Sequence, residues 1–171
     1  MRLQLQKELA GTILDLGGGG EGVIGRLYQS QVTAIDNRQE ELDEAPQGFA
    51  KLCMDATGLS FGNASFDHAT AFYFFMYLPA NAHFTALQEA YRVLKKGGTL
   101  HIWDAEIEKA DPFLVDLEID VGGQSITTTY GVYKNNAKQD AAHFIELCAQ
   151  IGFQLAEKQE ANGHFSLRFL K

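Results

Sequence analysis

A run of glycines placed directly after a short apolar segment constrains the fold more than any other feature of this sequence. Residues Thr12 to Leu16 are mostly apolar, and Gly17 to Gly20 follow at once. A short apolar segment that ends at glycines is typical of a buried parallel strand. Glycine also lets the backbone adopt positive φ and allows a ligand to approach it closely. A helical pattern over Gly22 to Gln29 comes next, so the sequence predicts a strand, a tight loop and a helix.

Strand-like and helix-like segments continue to alternate through the first two thirds of the chain. Further strands are predicted over Gln31–Ile35, Phe49–Met54, part of Phe66–Phe75, and Thr99–Trp103. Helices are predicted over Gln39–Ala45 and from an N-cap at Asn81 to Lys95-Lys96-Gly97-Gly98. This alternation predicts an α/β fold with a doubly wound, mostly parallel sheet covered by helices on both faces.

The pattern changes after Asp104. Apolar and acidic residues alternate before Gly122, and a second alternating segment follows, so we expect an inserted β-hairpin over about 113–133 that pairs Val121 with Ile126. The hairpin would serve as a lid or as a dimer contact. A helix is predicted over Asp140 to Gln150, and an antiparallel C-terminal hairpin turning at Asn162-Gly163 closes the chain.

Composition restricts the class of protein and of partner. The 171 residues suit a single domain, 1–171, and carry 14 Lys and Arg against 22 Asp and Glu. The net charge of −8 and the scattered basic residues disfavour nucleic acid and an anionic membrane surface. Cys53 and Cys148 lie in apolar runs and are expected to be buried free thiols. With no signal-peptide or membrane-spanning pattern, the sequence favours a cytoplasmic protein, either a monomer or a homodimer.

The glycine-rich loop matches two kinds of nucleotide site. Read from Gly17, it satisfies the dinucleotide pattern G-x-G-x-x-G, although several registers fit a run this rich in glycine. Asp15 argues against a dinucleotide, because a carboxylate this close to the loop repels a pyrophosphate and suits a ligand with an ammonium or sulfonium group. Asp36 and Asp55 also follow predicted strands, at the sheet edge where α/β folds bind ligands.

These residues resemble the first motif of the class I S-adenosylmethionine-dependent methyltransferases, D/E-x-G-x-G-x-G. Asp15, Gly17 and Gly19 match it, whereas Glu21 stands where the last glycine is expected. Ser65-Phe66-Asp67 and the segment from Ala90 to Gly98 are similar to later motifs of the family's small-molecule branch, which includes the ubiquinone and menaquinone biosynthesis C-methyltransferases. The resemblance covers residues 13 to about 103 and then the final helix and hairpin.

The resemblance implies a Rossmann-like methyltransferase fold, S-adenosylmethionine as cofactor and methyl transfer to a small-molecule acceptor. In that pattern Asp36 binds the ribose hydroxyls and Asp55 binds the adenine amino group. The full set of expected cofactor-binding residues is Asp15, Gly17, Gly18, Gly19, Asp36, Asn37, Met54, Asp55, Ala56, Phe72 and Tyr77.

The sequence leaves the catalytic residue and the acceptor unassigned. Tyr73 or Tyr77 could pack near a sulfonium, and His83, Asp104 and Glu106 are weaker candidates for a chemical role. The histidines lack metal-ligand spacing, so no metal is expected. Two alternatives remain: a non-catalytic or degenerate S-adenosylmethionine-binding protein, and an NAD-binding oxidoreductase. The chain lacks the second mononucleotide-binding half that is expected of an NAD-binding oxidoreductase.

Overall fold

The computed structural model describes residues 2–108, 113–132 and 139–171. Its main element is a seven-stranded sheet. The strands of this sheet are β2 (Ile13–Leu16), β3 (Val32–Asp36), β4 (Ala50–Cys53), β5 (Phe66–Phe72), β6 (Leu94–Ala105), β9 (Gln154–Ala161) and β10 (His164–Leu170). Their order across the sheet is β4-β3-β2-β5-β6-β10-β9. Strands β4, β3, β2, β5 and β6 are parallel, and β10 pairs antiparallel with both β6 and β9. The predicted mostly parallel sheet with an antiparallel C-terminal hairpin is therefore confirmed.

Apolar layers cover both faces of this sheet. The helices are α1 (Val23–Tyr28), α2 (Gln39–Glu44), α3 (Ala80–Val93) and α4 (Ala141–Ile151). One core cluster joins the sheet to α3 and α4, with Leu87 and Phe144 fully buried. A second cluster lies on the other face and joins α1 to a smaller sheet. Burial on both faces explains why β2 reads as a continuous apolar run interrupted only by Asp15.

The smaller sheet has three strands, and we call it the cap sheet. It consists of β1 (Arg2–Leu5), β7 (Phe113–Val121) and β8 (Gln124–Val132), in the order β1-β7-β8. The inner face of β7 is buried in the second core cluster, where Leu117 and Ile119 contribute side chains that are at most 1% exposed. The inner face of the predicted hairpin is thus part of the domain core. Tyr133, at the end of the predicted hairpin, lies outside the described residues.

The predicted register of this hairpin is wrong by two residues. Val121 pairs with Gln124 rather than Ile126, because the turn contains only Gly122 and Gly123. Both glycines have positive φ, 59° and 86°, which is the conformation that a tight two-residue hairpin turn requires. A slip of two residues leaves each side chain on the same face, so the predicted apolar face of β7 is retained.

Two local predictions about α3 are also wrong. The helix begins at Ala80 after Pro79, and Asn81 lies within its first turn rather than at the N-cap. Residues Lys95 to Gly98 do not end the helix but belong to β6, because Leu94 already pairs with Phe66 of β5. Within the part of the chain that the structure describes, none of the helices could span a lipid bilayer.

The expectation for the two cysteines is half correct. Cys148 is buried on α4, whereas Cys53 is exposed at the end of β4. Strand β4 is an edge strand of the large sheet, and three of its four residues are exposed, so its apolar sequence does not imply burial on both faces.

Candidate functional site

A cavity of about 600 Å³ lies at the carboxyl ends of the parallel strands. Parallel pairing brings the ends of β2, β3 and β4 to one edge of the sheet, and α/β folds bind ligands at this edge. The volume falls within the range of small-molecule sites, which is roughly 300–1,000 Å³. The expected cofactor residues in the cavity wall are Gly17, Gly19, Asp36, Asn37, Met54, Asp55, Ala56, Phe72 and Tyr77.

The glycine-rich loop needs its glycines for its own conformation. Gly17 and Gly20 have φ values of 70° and 56°, a region that other L-residues seldom adopt. A Cβ at Gly17 would lie 2.4 Å from the ring of Phe74, and one at Gly19 would lie 2.6 Å from the Cβ of Glu41. The backbone of the loop is therefore in close contact with its neighbours, and Gly17, Gly19 and Gly20 present it to the cavity.

Asp15 lies beneath the loop rather than in the cavity wall. Its side chain is 2% exposed, and its Oδ1 accepts a hydrogen bond of 2.7 Å from the Thr70 hydroxyl on the neighbouring strand. Burial raises the pKa of the Asp15 carboxyl to about 7, with the nearby Asp36 adding to the increase and the Thr70 hydrogen bond opposing it. Gly18 is buried as well, and a Cβ there would meet the Asp15 carboxylate at 2.5 Å. Both residues support the loop from below.

The other two expected acids lie at the cavity wall and accept hydrogen bonds from their own loops. Asp36 ends β3, and its Oδ1 accepts from the Arg38 backbone N–H at 3.0 Å. Asp55 Oδ1 accepts from both the backbone N–H and the hydroxyl of Thr57, at 2.8 and 2.7 Å. These hydrogen bonds lower the pKa of the Asp55 carboxyl, which favours its charged form. Each carboxylate is held in a fixed position by its loop.

Aromatic side chains form the opposite side of the cavity. The ring of Tyr73 stacks on Tyr130 of β8, with centroids 5.3 Å apart and planes inclined by 8°. The Tyr73 hydroxyl is 2.7 Å from Nδ1 of His164. Tyr77 is 51% exposed, and its hydroxyl accepts a hydrogen bond of 3.2 Å from the Gly131 N–H. The segment after β5 and the edge of the cap sheet therefore enclose the cavity together.

Glu21 links the glycine-rich loop to the cap sheet. Its carboxylate accepts a hydrogen bond from the hydroxyl of Thr128 on β8. Glu21, Thr129 and Tyr130 all lie in the cavity wall, and none of them was predicted as a site residue. The departure of Glu21 from the glycine of the motif was the one available sign. The contribution of β8, more than 100 residues away along the chain, had no local sign.

Two weaker candidates for a chemical role, His83 and Asp104, have structural roles. His83 is fully buried, with Nε2 3.0 Å from the Phe75 carbonyl and Nδ1 3.0 Å from a nitrogen of His143. Asp104 is also fully buried and accepts hydrogen bonds from the Met76 and Ala105 N–H groups and from the Gln139 amide. Burial raises the pKa of the Asp104 carboxyl to about 7.

Glu106, another weaker candidate, lies away from the large cavity. Glu106 faces a separate, smaller hollow beside the C-terminal hairpin. Within the described ranges, no three His, Cys, Asp or Glu side chains come together as a metal site. The predicted cofactor-binding residues are therefore grouped at the large cavity.

A cavity bounded by a glycine-rich loop and by acids at successive strand ends defines a nucleotide-type cofactor site. The sequence matches the methyltransferase domain family over residues 14–102, more than half of the chain. The chain belongs to this family and is a class I S-adenosylmethionine-dependent methyltransferase.

Solved structures agree with this assignment at the level of the fold. An S-adenosylmethionine-dependent methyltransferase from Methanosarcina mazei is 19% identical with a TM-score of 0.70, and the match covers 95% of this chain and 94% of that one. An S-adenosylmethionine-dependent methyltransferase from Thermotoga maritima is 18% identical with a TM-score of 0.72, covering 96% and 84%.

A third structure contains ligands. The 1,6-didemethyltoxoflavin-N1-methyltransferase of Burkholderia thailandensis was solved with 1,6-didemethyltoxoflavin and S-adenosylhomocysteine bound. It is 16% identical with a TM-score of 0.62, and the match covers 94% of this chain and 71% of that one. No curated protein matches the chain by sequence.

Proposed function

We propose that this protein transfers the methyl group of S-adenosylmethionine to a small-molecule acceptor bound in the cavity between the glycine-rich loop and the cap sheet. The observation that carries the proposal is the enclosure of one cavity by cofactor-type acids on one side and by Tyr73, Tyr77 and Tyr130 on the other. The acids suit a cationic, phosphate-free nucleoside, and the aromatic side offers an apolar surface for an acceptor.

The residues in the wall fit the cofactor in chemistry and in size. Asp36 would accept hydrogen bonds from the ribose hydroxyls, and Asp55, between Met54 and Ala56, would bind the adenine amino group. The glycine-rich loop leaves space and backbone polar groups for the methionine moiety, and Asp15 adds a carboxyl below it. Asn37 would contact the ribose side, and Phe72 and Tyr77 the side of the transferred methyl group.

The task of the protein in this reaction is alignment. When bound, S-adenosylmethionine supplies a methyl group that its sulfonium has already activated. The chain must hold the acceptor in line with that group and exclude water. Positioning of this kind is worth about 7–11 kcal/mol of the barrier in favourable intramolecular systems. The stacked pair of Tyr73 and Tyr130 and the Tyr77–Gly131 hydrogen bond give the acceptor side a defined shape.

A neutral alanine at position 36 tests the cofactor assignment. We expect Asp36→Ala to weaken S-adenosylhomocysteine binding by at least about tenfold, because hydrogen bonds to a charged group are each worth roughly 1.5–3 kcal/mol. Isothermal titration calorimetry measures this directly. Asp43→Ala is the matched control, since Asp43 is exposed on α2 and lies outside the cavity wall. Equal affinity of Asp36→Ala and the parent protein, or no binding by the parent, would refute the assignment.

A further inference from the structure

We infer that Glu21 binds the ammonium group of the methionine part of S-adenosylmethionine, and that Thr128 of the cap sheet holds the Glu21 carboxylate in place. The inference rests on the proposed function and assigns a further cofactor-binding residue in the same cavity. It depends on three observations: the enclosed position of Asp15, the order of the strands at the cavity edge, and the hydrogen bond between Glu21 and Thr128.

Asp15, the acid of the glycine-rich motif, is enclosed at both of its carboxyl oxygens. Its Oδ1 accepts the hydrogen bond from the Thr70 hydroxyl at 2.7 Å. Its Oδ2 lies against the backbone of Gly18, since a Cβ at Gly18 would be only 2.5 Å from that oxygen. Asp15 and Gly18 are both buried. An ammonium group in the cavity therefore needs a carboxylate that reaches the wall, because a charge taken out of water without a partner is costly.

The order of the strands indicates where that ammonium group lies. Strands β4, β3, β2 and β5 are successive neighbours, and adjacent strands are about 4.8 Å apart. Asp55 follows β4 and Asp36 ends β3. An adenine at Asp55 and a ribose at Asp36 leave the rest of the cofactor to extend toward β2. The glycine-rich loop continues from β2, and Glu21 lies in the cavity wall at the end of this loop. Glu21 is therefore at the end of the cavity that suits the methionine part.

The other carboxylates of the described wall have different tasks. Asp36 and Asp55 are assigned to the nucleoside. Glu41 forms an ion pair with Arg38 at 2.7 Å. Glu21 is partly buried and accepts a hydrogen bond from the cap sheet, and an ionised carboxylate offers about four acceptor sites. Glu21 therefore keeps the capacity to accept hydrogen bonds from an ammonium group, and such charge-assisted bonds are stronger than neutral ones.

The backbone at position 21 tolerates a side chain where the motif has its last glycine. Gly20 and Gly22, on either side, have φ values of 56° and 55°, which favour glycine. Glu21 itself does not adopt a positive φ. The turn of the loop is therefore made by its neighbours, and position 21 is free to carry a carboxylate into the wall of the cavity.

Thr128 is a positioning residue, because it acts through Glu21. Its hydroxyl donates to Oε1 of Glu21 across 107 residues of chain. A long side chain loses conformational entropy when a ligand fixes it, and a side chain that is already held loses less. Strand β8 is itself fixed beside the cavity, since the Gly131 N–H donates to the Tyr77 hydroxyl at 3.2 Å. The cap sheet therefore pre-organises the Glu21 carboxylate for the cofactor.

Three ligands that share the adenosyl thioether test the role of Glu21 by isothermal titration calorimetry. S-adenosylhomocysteine carries the amino and carboxyl groups, S-adenosyl-3-thiopropylamine carries the amino group alone, and 5′-methylthioadenosine carries neither. We expect Glu21→Gln to weaken binding of the first two ligands by about tenfold or more, because hydrogen bonds to charged groups are strong, and to change binding of 5′-methylthioadenosine by less than about twofold. Glu40→Gln makes the same charge change at an exposed position of α2 outside the cavity wall and should alter none of the three affinities.

A pair of variants at position 128 tests the positioning role. Thr128→Val removes the hydroxyl at nearly constant shape, and we expect it to weaken S-adenosylhomocysteine binding about three- to tenfold with binding of 5′-methylthioadenosine unchanged. Thr128→Ser keeps the hydroxyl and should restore the affinity of the parent. If Thr128→Ser binds S-adenosylhomocysteine as weakly as Thr128→Val, or if Thr128→Val binds it as tightly as the parent, Thr128 does not position Glu21.

The same titrations distinguish failure of the inference from failure of the proposed function. If the parent protein binds none of the three ligands, the proposed function itself fails. If the parent binds S-adenosylhomocysteine and Glu21→Gln binds it equally well, the inference alone is wrong. Equal losses for all three ligands would also overturn the inference, because they would indicate a disturbed loop. A loss confined to S-adenosylhomocysteine would overturn it as well, since S-adenosyl-3-thiopropylamine carries the same amino group.

Discussion

Replacing the buried carboxyl of Asp15 by an amide should make the ligand-free protein more stable at neutral and alkaline pH. Asp15→Asn keeps the shape of the side chain and an oxygen that can accept the Thr70 hydrogen bond, but it cannot ionise. The carboxyl is 2% exposed, so its charged form is disfavoured in the folded state. The parent protein loses stability on ionisation of Asp15, and the variant does not.

The pKa of Asp15 sets the size of this effect. Burial raises that pKa from 3.8 to about 7, so between these values the folded state holds a proton that the unfolded state has lost. The free energy of unfolding then falls by about 1.36 kcal/mol per pH unit as the pH rises. Over the full interval the loss is about 4 kcal/mol, which is a large part of a typical stability of roughly 5–15 kcal/mol. Above pH 7 the loss is complete and constant.

Urea unfolding followed by the fluorescence of Trp103 measures the difference. At pH 8 we expect Asp15→Asn to be more stable than the parent by up to about 4 kcal/mol, and at pH 4.5 by only about 1 kcal/mol. Asp43→Asn is the control, because Asp43 is an exposed carboxyl on α2. Addition of S-adenosylmethionine should narrow the gap at pH 8, since a cationic ligand stabilises the ionised parent. Equal pH profiles for Asp15→Asn and the parent, or a less stable variant at pH 8, would refute the reasoning.

Two further predictions concern the core and the thiols. Phe144→Ala should lower the free energy of unfolding by about 3–5 kcal/mol, because Phe144 is fully buried against Phe75 and a cavity would remain. Urea unfolding measures this change. A loss below about 1 kcal/mol would contradict this packing. In the native protein a thiol reagent such as 5,5′-dithiobis(2-nitrobenzoate) should modify the exposed Cys53 but not the buried Cys148, whose pKa is raised by burial. Both thiols should react in urea, and rapid modification of both in the native state would contradict the buried position of Cys148.

The fold does not determine the acceptor, the branch of the family, the cellular location or the choice between monomer and homodimer. The reason is physical: an acceptor is recognised by a few side chains on loops and strand edges, whereas the fold depends on the much larger apolar interior.

Local sequence was sufficient for the elements with a strong internal pattern. The apolar run of β2 and the glycine-rich loop needed no distant contact to be recognised. Asn162-Gly163, with φ values of 53° and 75°, forms the predicted tight turn between β9 and β10. Strand β1 was missed because it is a short edge strand with alternating polar residues, and it forms only by pairing with β7.

The sequence by itself therefore determined the class of fold, the cofactor type and the positions of the acids at the strand ends, because these follow from periodicity and from motifs within short segments. Only the tertiary structure decided that Asp15 lies below the cavity, that the cap hairpin has a two-residue turn, and that Glu21 meets Thr128. Those outcomes depend on which surfaces pack together over more than 100 residues of chain, and no local pattern encodes such a contact.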